Sequence, residues 1–139
     1  ICRGAPQSVP VFGIDPLIPD SMEASLIGSI DRIRENTRAF PNYTFIQDYS
    51  FNVAKRWDRT IDYCFVDGDH NFDAVKRDFE DWFPKIVPGG LISFHDSAMY
   101  RNGPGFHVGS SRFVDEVVLQ DPRLEYVETV FCLTVFRKK

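Results

Sequence analysis

The sequence predicts an α/β protein with a mostly parallel sheet that ends in an antiparallel hairpin. Short apolar runs typical of buried strands alternate with longer segments in which apolar residues recur at helical spacing. The last two strand-like runs lie too close together for a helical crossover, so they should pair antiparallel. The length of 139 residues suits one domain, and we expect residues 1–139 to form a single domain.

The predicted elements follow one another with breaks at prolines and glycines, of which Pro16, Pro41 and the turn 88–90 are the clearest. The helix 72–83 has the strongest pattern, because its apolar residues fall on one stripe. A glycine-rich loop, 100–109, follows the strand 91–94. In order, the predicted elements are strand 9–14, a helix beginning near Ser21, strand 43–46, helix 50–57, strand 61–66, helix 72–83, strand 91–94, a helix around Phe113, and strands 124–129 and 131–136.

Composition excludes several kinds of partner. The formal net charge of −4 argues against nucleic acid, which favours a basic patch, and no run approaches the roughly 20 apolar residues that span a bilayer. Cys2, Cys64 and Cys132 have unrelated spacings and predict free thiols in a reducing, cytoplasmic compartment. A homo-oligomer is compatible with the sequence. The first residue is isoleucine rather than methionine, which we interpret as a processing point or a cut.

Two of the strand-like runs stop abruptly on acidic and imidazole side chains. The run 61–66 is followed by an Asp-Gly-Asp-His sequence, and the run 91–94 is followed by a His-Asp pair. A helix joins the two runs, so the strands should be parallel and both clusters should emerge at the carboxyl edge of the sheet. Ligands of open α/β sheets bind at that edge. The candidates for one shared site are Asp67, Asp69, His70, His95 and Asp96.

Metal ligation is the first chemistry that these residue types indicate. Asp67 and Asp96 are the first candidate ligands, because two carboxylates at adjacent strand ends repel each other without a cation. Oxygen ligands favour Mg²⁺. His95 is a third candidate, which would favour Mn²⁺ or Zn²⁺, although it could instead orient the ligands through a hydrogen bond. Asp69 could bind the metal, orient a ligand by accepting a hydrogen bond, or cap the following helix, and we expect the cap rather than metal binding.

The segments Asp62–His70 and Pro88–Asp96, with Asp78 between them, resemble the class I S-adenosylmethionine-dependent methyltransferases. They are most similar to the metal-dependent sugar O-methyltransferase branch that includes the macrocin O-methyltransferases. The resemblance implies a Rossmann-like three-layer sandwich that methylates a hydroxyl of a sugar or another small molecule with the help of Mg²⁺ or another divalent cation. The glycine-rich turn that holds the cofactor in this family has no counterpart here, so we expect the first strand and helix of the fold to be lacking.

The resemblance also implies positions for the cofactor, S-adenosylmethionine. Asp15 follows a strand similar to the family's second strand and would accept hydrogen bonds from the ribose hydroxyls. Gln47 and Asp48 follow a strand similar to its third and would lie beside the adenine, and Asp67 would contact the cofactor as well as the metal. Two structural alternatives stay open. Asp15 could simply end its strand in a turn, and Asp48 could cap the short helix 50–57.

His70 follows Asp67 by three residues, and the resemblance makes it the candidate general base. A neutral imidazole near neutral pH suits that role. Two other functions remain open. The same Asp-Gly-Asp-His and His-Asp sequences also serve metal-dependent phosphohydrolases, and the missing glycine-rich turn favours a non-catalytic methyltransferase-like domain.

Overall fold

The structure, a computed structural model, describes residues 2–18, 29–98 and 109–139. The described residues form four α-helices and six β-strands, and their alternation confirms the predicted α/β class. The chain divides into two compact units, Ile1–Val53 and Ala54–Lys139. In chain order the elements are β1 (Val11–Ile14), α1 (Ile30–Thr37), β2 (Tyr43–Ile46), α2 (Ser50–Lys55), β3 (Ile61–Val66), α3 (Phe72–Trp82), β4 (Ile86–Phe94), α4 (Gly109–Glu116), β5 (Leu124–Val130) and β6 (Leu133–Lys138).

The first unit contains a two-stranded parallel sheet, in which β1 pairs with β2 in register from Val11 opposite Tyr43 onward. β1 begins two residues later than predicted. Proline at position 10 has no backbone N–H for the ladder, and the Val9 carbonyl accepts a hydrogen bond from the Asn42 side chain at 2.7 Å instead. Both strands therefore start beside the same asparagine and end side by side.

The helix of the first unit begins at a serine cap. Ser29 has an extended backbone and its Oγ accepts a hydrogen bond from the Arg32 amide at 3.1 Å, which satisfies one of the unpaired N–H groups of the first turn. The predicted start near Ser21 lies outside the described residues. From Ile30 onward the predicted helix is confirmed.

The second unit contains a four-stranded sheet in the order β3-β4-β6-β5. β3 and β4 are parallel, and β6 runs antiparallel to both β4 and β5, which confirms the predicted hairpin. β6 begins at Leu133, later than predicted, because Phe131 has a φ of 53° and belongs to the turn. β3 and β5 are the two edge strands of this four-stranded sheet.

β4 is longer than predicted, because the turn sequence 88–90 lies inside the strand rather than before it. Ile61 pairs with Ile86 and Tyr63 pairs with Leu91, so the extra residues of β4 form an irregularity in the ladder. Gly89 accommodates it with a φ of 80°. Beyond this point the two strands are in register to their carboxyl ends.

The core of the second unit lies between this sheet and helices α3 and α4. Among the described residues, five of its twelve buried members are phenylalanines. Phe113 of α4 packs against Phe79 of α3 and Phe94 of β4, with ring centroids 5.7 Å and 6.0 Å apart. Complete burial of such a side chain stabilises the fold by about 1.5–3 kcal/mol. The core therefore fixes the ends of β3 and β4 relative to the helices. None of the helices in the described parts of the chain has both the length and the apolarity to cross a bilayer.

Candidate active site

The carboxyl ends of β3 and β4 bring the predicted cluster together. Val66 pairs with Phe94 at the last position of the ladder, and the His95 amide donates a hydrogen bond to the Val66 carbonyl at 3.0 Å. Asp67 and His95 therefore leave the sheet side by side. The parallel pairing, rather than any local interaction, sets this position.

The contact between His95 and Asp67 has the spacing of two ligands of one cation. His95 Nδ1 lies 2.8 Å from Asp67 Oδ1. This solvent-inaccessible nitrogen has no hydrogen-bond partner among the described residues, despite the short separation. Neighbouring ligands of an octahedral ion with bonds of ~2.0–2.1 Å lie ~2.9 Å apart. The pair thus fits a divalent cation.

The His70 ring stands between two carboxylates. Its Nε2 lies 3.6 Å from Asp67 Oδ1, and its Nδ1 lies 3.5 Å from Asp96 Oδ2. Both separations are too long for strong hydrogen bonds. The side chain is 38% exposed, so the ring also faces solvent. His70 can therefore meet a ligand that approaches from outside.

Asp96 reaches the cluster because of its backbone. Its φ is 49°, in the left-handed region that aspartate and asparagine adopt more readily than other residues with a side chain. Its Oδ1 lies 3.6 Å from His95 Nδ1, and its side chain is 21% exposed. The left-handed turn thus holds a second carboxylate beside both imidazoles.

Two sets of described residues could each hold a metal ion. One ligand atom from each of Asp67, His70 and His95 lies within 4.8 Å of the others, and the same is true of His95, Asp96 and Cys132. Of the three ligands predicted from the sequence, His95 belongs to both sets, Asp67 only to the first and Asp96 only to the second, so neither set contains all three. His70 belongs to the first set, so a ligand role competes with its predicted role as a base.

Cys132 was not among the residues predicted for this site. It lies in the turn between β5 and β6, and its Sγ is within hydrogen-bond distance of His95 Nε2, at 3.3 Å. The sequence gives no sign of this contact, because Cys132 is far from His95 along the chain. The β5–β6 turn reaches the carboxyl edge of β4 only because β6 pairs with β4.

Ser97 and Ser110 anchor the site and were also missed. The Ser97 amide donates to the Cys132 carbonyl at 2.8 Å, and the buried Ser97 hydroxyl lies 2.7 Å from Thr134 Oγ1. The Ser110 hydroxyl donates to the His95 carbonyl at 2.7 Å, and its amide donates to the His70 carbonyl at 3.1 Å. A serine directly after the His-Asp pair, and another just before an apolar helical stripe, were the available signals.

Helix α4 begins directly against the loop that carries His70. A Cβ atom placed on Gly109 would meet the His70 carbonyl oxygen at 2.5 Å and would overlap the Phe72 backbone nitrogen. Only glycine allows this approach. The start of α4 therefore supports the His70 loop as well as the His95 backbone.

Asp69 does not cap α3, contrary to the prediction. The N-cap is Asn71, two residues further on. Asp69 Oδ1 accepts hydrogen bonds from the Asn71 amide at 3.0 Å and from its side-chain nitrogen at 2.6 Å. Its carboxylate thus shapes the turn before the helix, as an Asx-turn does. It belongs to neither of the two metal-binding sets found in the described residues.

The residues predicted to bind the cofactor lie in the first unit, apart from Asp67. Asp15 and Gln47 directly follow the paired ends of β1 and β2. Asp15 Oδ1 accepts a hydrogen bond from the Leu17 amide at 2.6 Å, which is the local turn that the sequence left open. Asp48 Oδ1 accepts one from the Asn52 side chain of α2 at 3.1 Å, so Asp48 also has a local structural contact. Their roles toward a cofactor remain predictions.

The fold and the site define an α/β protein with a candidate metal centre at the carboxyl edge of parallel strands. A family model described as a methyltransferase domain matches residues 9–97, which is more than half of the chain. The chain therefore belongs to the methyltransferase domain family. The matched region contains the Asp67–His70 and His95–Asp96 sequences.

The individual proteins that resemble this chain have low sequence identity to it. An uncharacterised protein of Acanthamoeba polyphaga mimivirus is 28% identical over an alignment of 116 positions, which covers 77% of this chain and 49% of that protein. The O-methyltransferase NovP has a similar structure, with a TM-score of 0.69 and 18% identity over 93% of this chain and 60% of its own. MycE methyltransferase from the mycinamycin biosynthetic pathway, solved with Mg, SAH and mycinamycin VI, gives a TM-score of 0.58 and 17% identity over 93% of this chain and 45% of its own. At these identities the structures establish the fold. The chain spans about half the length of the mimivirus relative.

Proposed function

We propose that this protein transfers the methyl group of S-adenosylmethionine to a hydroxyl oxygen of a sugar or another small molecule, with the help of a divalent cation. The observation that carries the proposal is the convergence of Asp67, His70 and His95 at the ends of β3 and β4. Membership of the methyltransferase domain family supports the reaction class. The similar structure of MycE, which was solved with Mg and SAH, supports the choice of cofactor and ion.

Asp67, Asp96 and His95 are the residues that would hold Mg²⁺. The 2.8 Å separation of His95 Nδ1 and Asp67 Oδ1 supports this, since no described group offers that nitrogen a hydrogen bond. A bound divalent cation lowers the pKa of an acceptor hydroxyl and orients it. The two carboxylates supply the oxygen ligands that Mg²⁺ favours, and His95 would widen the choice toward Mn²⁺.

His70 is the proposed general base. Its ring is partly exposed and forms no close hydrogen bond with either flanking carboxylate, so a ring nitrogen can take the hydroxyl proton. The oxygen then forms a bond to the methyl carbon while the carbon–sulfur bond breaks and S-adenosylhomocysteine leaves. Positioned proton transfer of this kind typically accelerates a reaction by about 10²–10⁴-fold. Asp67 and Asp96 on either side would stabilise the positive charge that the ring gains with the proton.

For the cofactor, we propose that Asp15 accepts hydrogen bonds from the ribose hydroxyls and that Gln47 and Asp48 lie beside the adenine. Their positions just after the paired ends of β1 and β2 support this, because nucleotides bind at the carboxyl ends of parallel strands. Asp67 would contact the cofactor from the end of β3. The three free cysteines support a cytoplasmic location, and the net charge of −4 supports a small-molecule partner over nucleic acid.

Activity and binding measurements on single variants distinguish the proposed base, His70, from the proposed metal ligands. In His70→Ala we expect methyl transfer to sugar acceptors to fall by about 10²–10⁴-fold. Calorimetry should find its affinities for Mg²⁺ and S-adenosylhomocysteine within a few-fold of the unsubstituted protein. In Asp67→Asn the Mg²⁺ affinity should fall steeply. Asp69→Asn is the matched control, since this carboxylate lies in the same loop outside both metal sets, and it should keep Mg²⁺ affinity and activity.

Two results would contradict the proposal. A loss of Mg²⁺ binding in His70→Ala would make His70 a ligand rather than the base. Metal-dependent hydrolysis of a phosphate ester, together with no binding of S-adenosylhomocysteine, would replace methyl transfer with the phosphohydrolase alternative.

A further inference from the structure

The imidazole of His95 faces candidate ligands on two sides. Its Nδ1 lies 2.8 Å from Asp67 Oδ1, and its Nε2 lies 3.3 Å from Cys132 Sγ. The proposed Mg²⁺ site uses the first side. The second side offers a thiol, which Mg²⁺ does not select.

The distance between His95 Nε2 and Cys132 Sγ suits two ligands of a tetrahedrally coordinated ion. With Zn–S of about 2.3 Å and Zn–N of about 2.0–2.1 Å, a sulfur and a nitrogen ligand of Zn²⁺ lie roughly 3.5 Å apart. The observed distance between Cys132 Sγ and His95 Nε2 is 3.3 Å. One ligand atom from each of His95, Asp96 and Cys132 lies within 4.8 Å of the others. Thiolate, imidazole and carboxylate are the three ligand types that proteins use for zinc.

The turn that carries Cys132 is held against the site. The Cys132 carbonyl accepts a hydrogen bond from the Ser97 amide at 2.8 Å, and the Ser97 hydroxyl lies 3.3 Å from the same oxygen. Ser97 is the residue after Asp96 and is fully buried. The backbone atoms that position Asp96 and Cys132 are therefore linked directly, so the ligand set is preorganised.

We propose that His95, Asp96 and Cys132 form a second cation site that selects Zn²⁺ and overlaps the proposed Mg²⁺ site. Three protein ligands leave one position of the tetrahedron for water. The two sites use opposite nitrogens of the His95 ring but share the Asp96 carboxylate, which lies 3.6 Å from His95 Nδ1, so Zn²⁺ that draws Asp96 to its own site weakens Mg²⁺ binding and inhibits methyl transfer. The inhibition rests on the proposed function, whereas Zn²⁺ binding does not.

Cobalt substitution tests the ligand set without any activity measurement. The reduced protein is titrated with Co²⁺, and we expect a near-ultraviolet thiolate-to-cobalt charge-transfer band that one equivalent of Zn²⁺ abolishes. Cys132→Ser should lose the band and bind Zn²⁺ at least tenfold more weakly. Cys64→Ser is the matched control and should keep both properties, because burial raises the pKa of the Cys64 thiol to about 12 and keeps it protonated. A band that persists in Cys132→Ser, or that is absent from the unsubstituted protein, would overturn the proposal.

A second measurement needs no variant and so does not depend on how a substituted chain folds. Alkylation of the unsubstituted protein is mapped by mass spectrometry with and without Zn²⁺. Zn²⁺ should slow the modification of Cys132 at least tenfold and leave that of Cys2 unchanged. Equal rates at Cys132 would contradict the site.

The rate of methyl transfer then tests whether the zinc site and the Mg²⁺ site overlap. Zn²⁺ should inhibit Mg²⁺-supported methyl transfer, and Cys132→Ser should need at least tenfold more Zn²⁺ for the same fractional inhibition. Thiolate binding without inhibition would confirm the zinc site and refute its overlap with the Mg²⁺ site. Absence of methyl transfer would count against the proposed function and leave the cobalt and alkylation results standing.

Discussion

The buried hydroxyls of Ser97 and Thr134 link the segment after β4 to β6. Removing both should change the free energy of unfolding by less than the sum of the two single changes. The Ser97 hydroxyl has no exposed surface and lies 2.7 Å from Thr134 Oγ1 and 2.8 Å from the Phe94 carbonyl oxygen. Thr134 is equally buried. We therefore consider Ser97→Ala, Thr134→Val and the double variant, in which both hydroxyls are replaced by apolar groups.

The expected magnitudes follow from the buried contacts. Ser97→Ala removes a hydrogen bond worth about 0.5–1.5 kcal/mol and leaves buried partners unsatisfied at about 1–3 kcal/mol, so we expect a loss of about 2–3 kcal/mol. Thr134→Val keeps the side-chain volume and should cost about 1–2 kcal/mol. Once one hydroxyl is gone, the hydrogen bond between the two is already lost, so the double variant should be about 1 kcal/mol more stable than the sum of the two losses predicts.

Urea unfolding followed by far-ultraviolet circular dichroism measures these free energies. The exposed Ser8→Ala is the control and should change the free energy of unfolding by less than about 0.5 kcal/mol. Losses in the two single variants that add up in the double variant would refute the coupling. A loss in Ser97→Ala as small as that of the control would refute the hydrogen bonds themselves.

Two further predictions concern stability. Gly109→Ala should destabilise the fold by about 3 kcal/mol or more, because its Cβ would collide with the backbone of His70 and Phe72. Gly89→Ala meets no atom within 4 Å and should cost only the ~1–2 kcal/mol of its left-handed backbone, and equal losses in thermal unfolding would contradict this reasoning. Burial raises the pKa of Cys64 from 9.0 to about 12, so the unfolded chain ionises first and stability should fall as the pH rises through this window. Cys64→Ala should show a flatter decline in urea unfolding at alkaline pH, and an identical decline would count against it.

The part of the site that depends on parallel pairing could be predicted from the sequence. Two apolar runs joined by a helix had to end at the same edge, and this places Asp67 beside His95. Helix capping was less predictable. Asp69 and Asn71 are both good caps, and their two-residue spacing lies within the usual uncertainty of a helix boundary. The structure uses the asparagine as the cap and the aspartate for the preceding turn.

Features that depend on long-range packing could not be predicted. Cys132 reaches His95 only because β6 lies between β4 and β5, which local spacing does not reveal. Likewise, the fit of Gly109 against the His70 loop depends on how α4 returns to the sheet edge. Sequence patterns indicate which side chains follow a strand, but they do not indicate which later segment packs against them.

The left-handed backbone at Asp96 limits the mutations that this position tolerates. Glutamate would keep the charge but strain the turn by about 1–2 kcal/mol, whereas asparagine and glycine adopt the conformation readily. Both are reached from an aspartate codon by a single-nucleotide change. A gene copy released from selection can therefore lose this carboxylate in one step while its product still folds. Asparagine or glycine at the corresponding position would mark relatives that have kept the fold and lost one ligand of the proposed cation site.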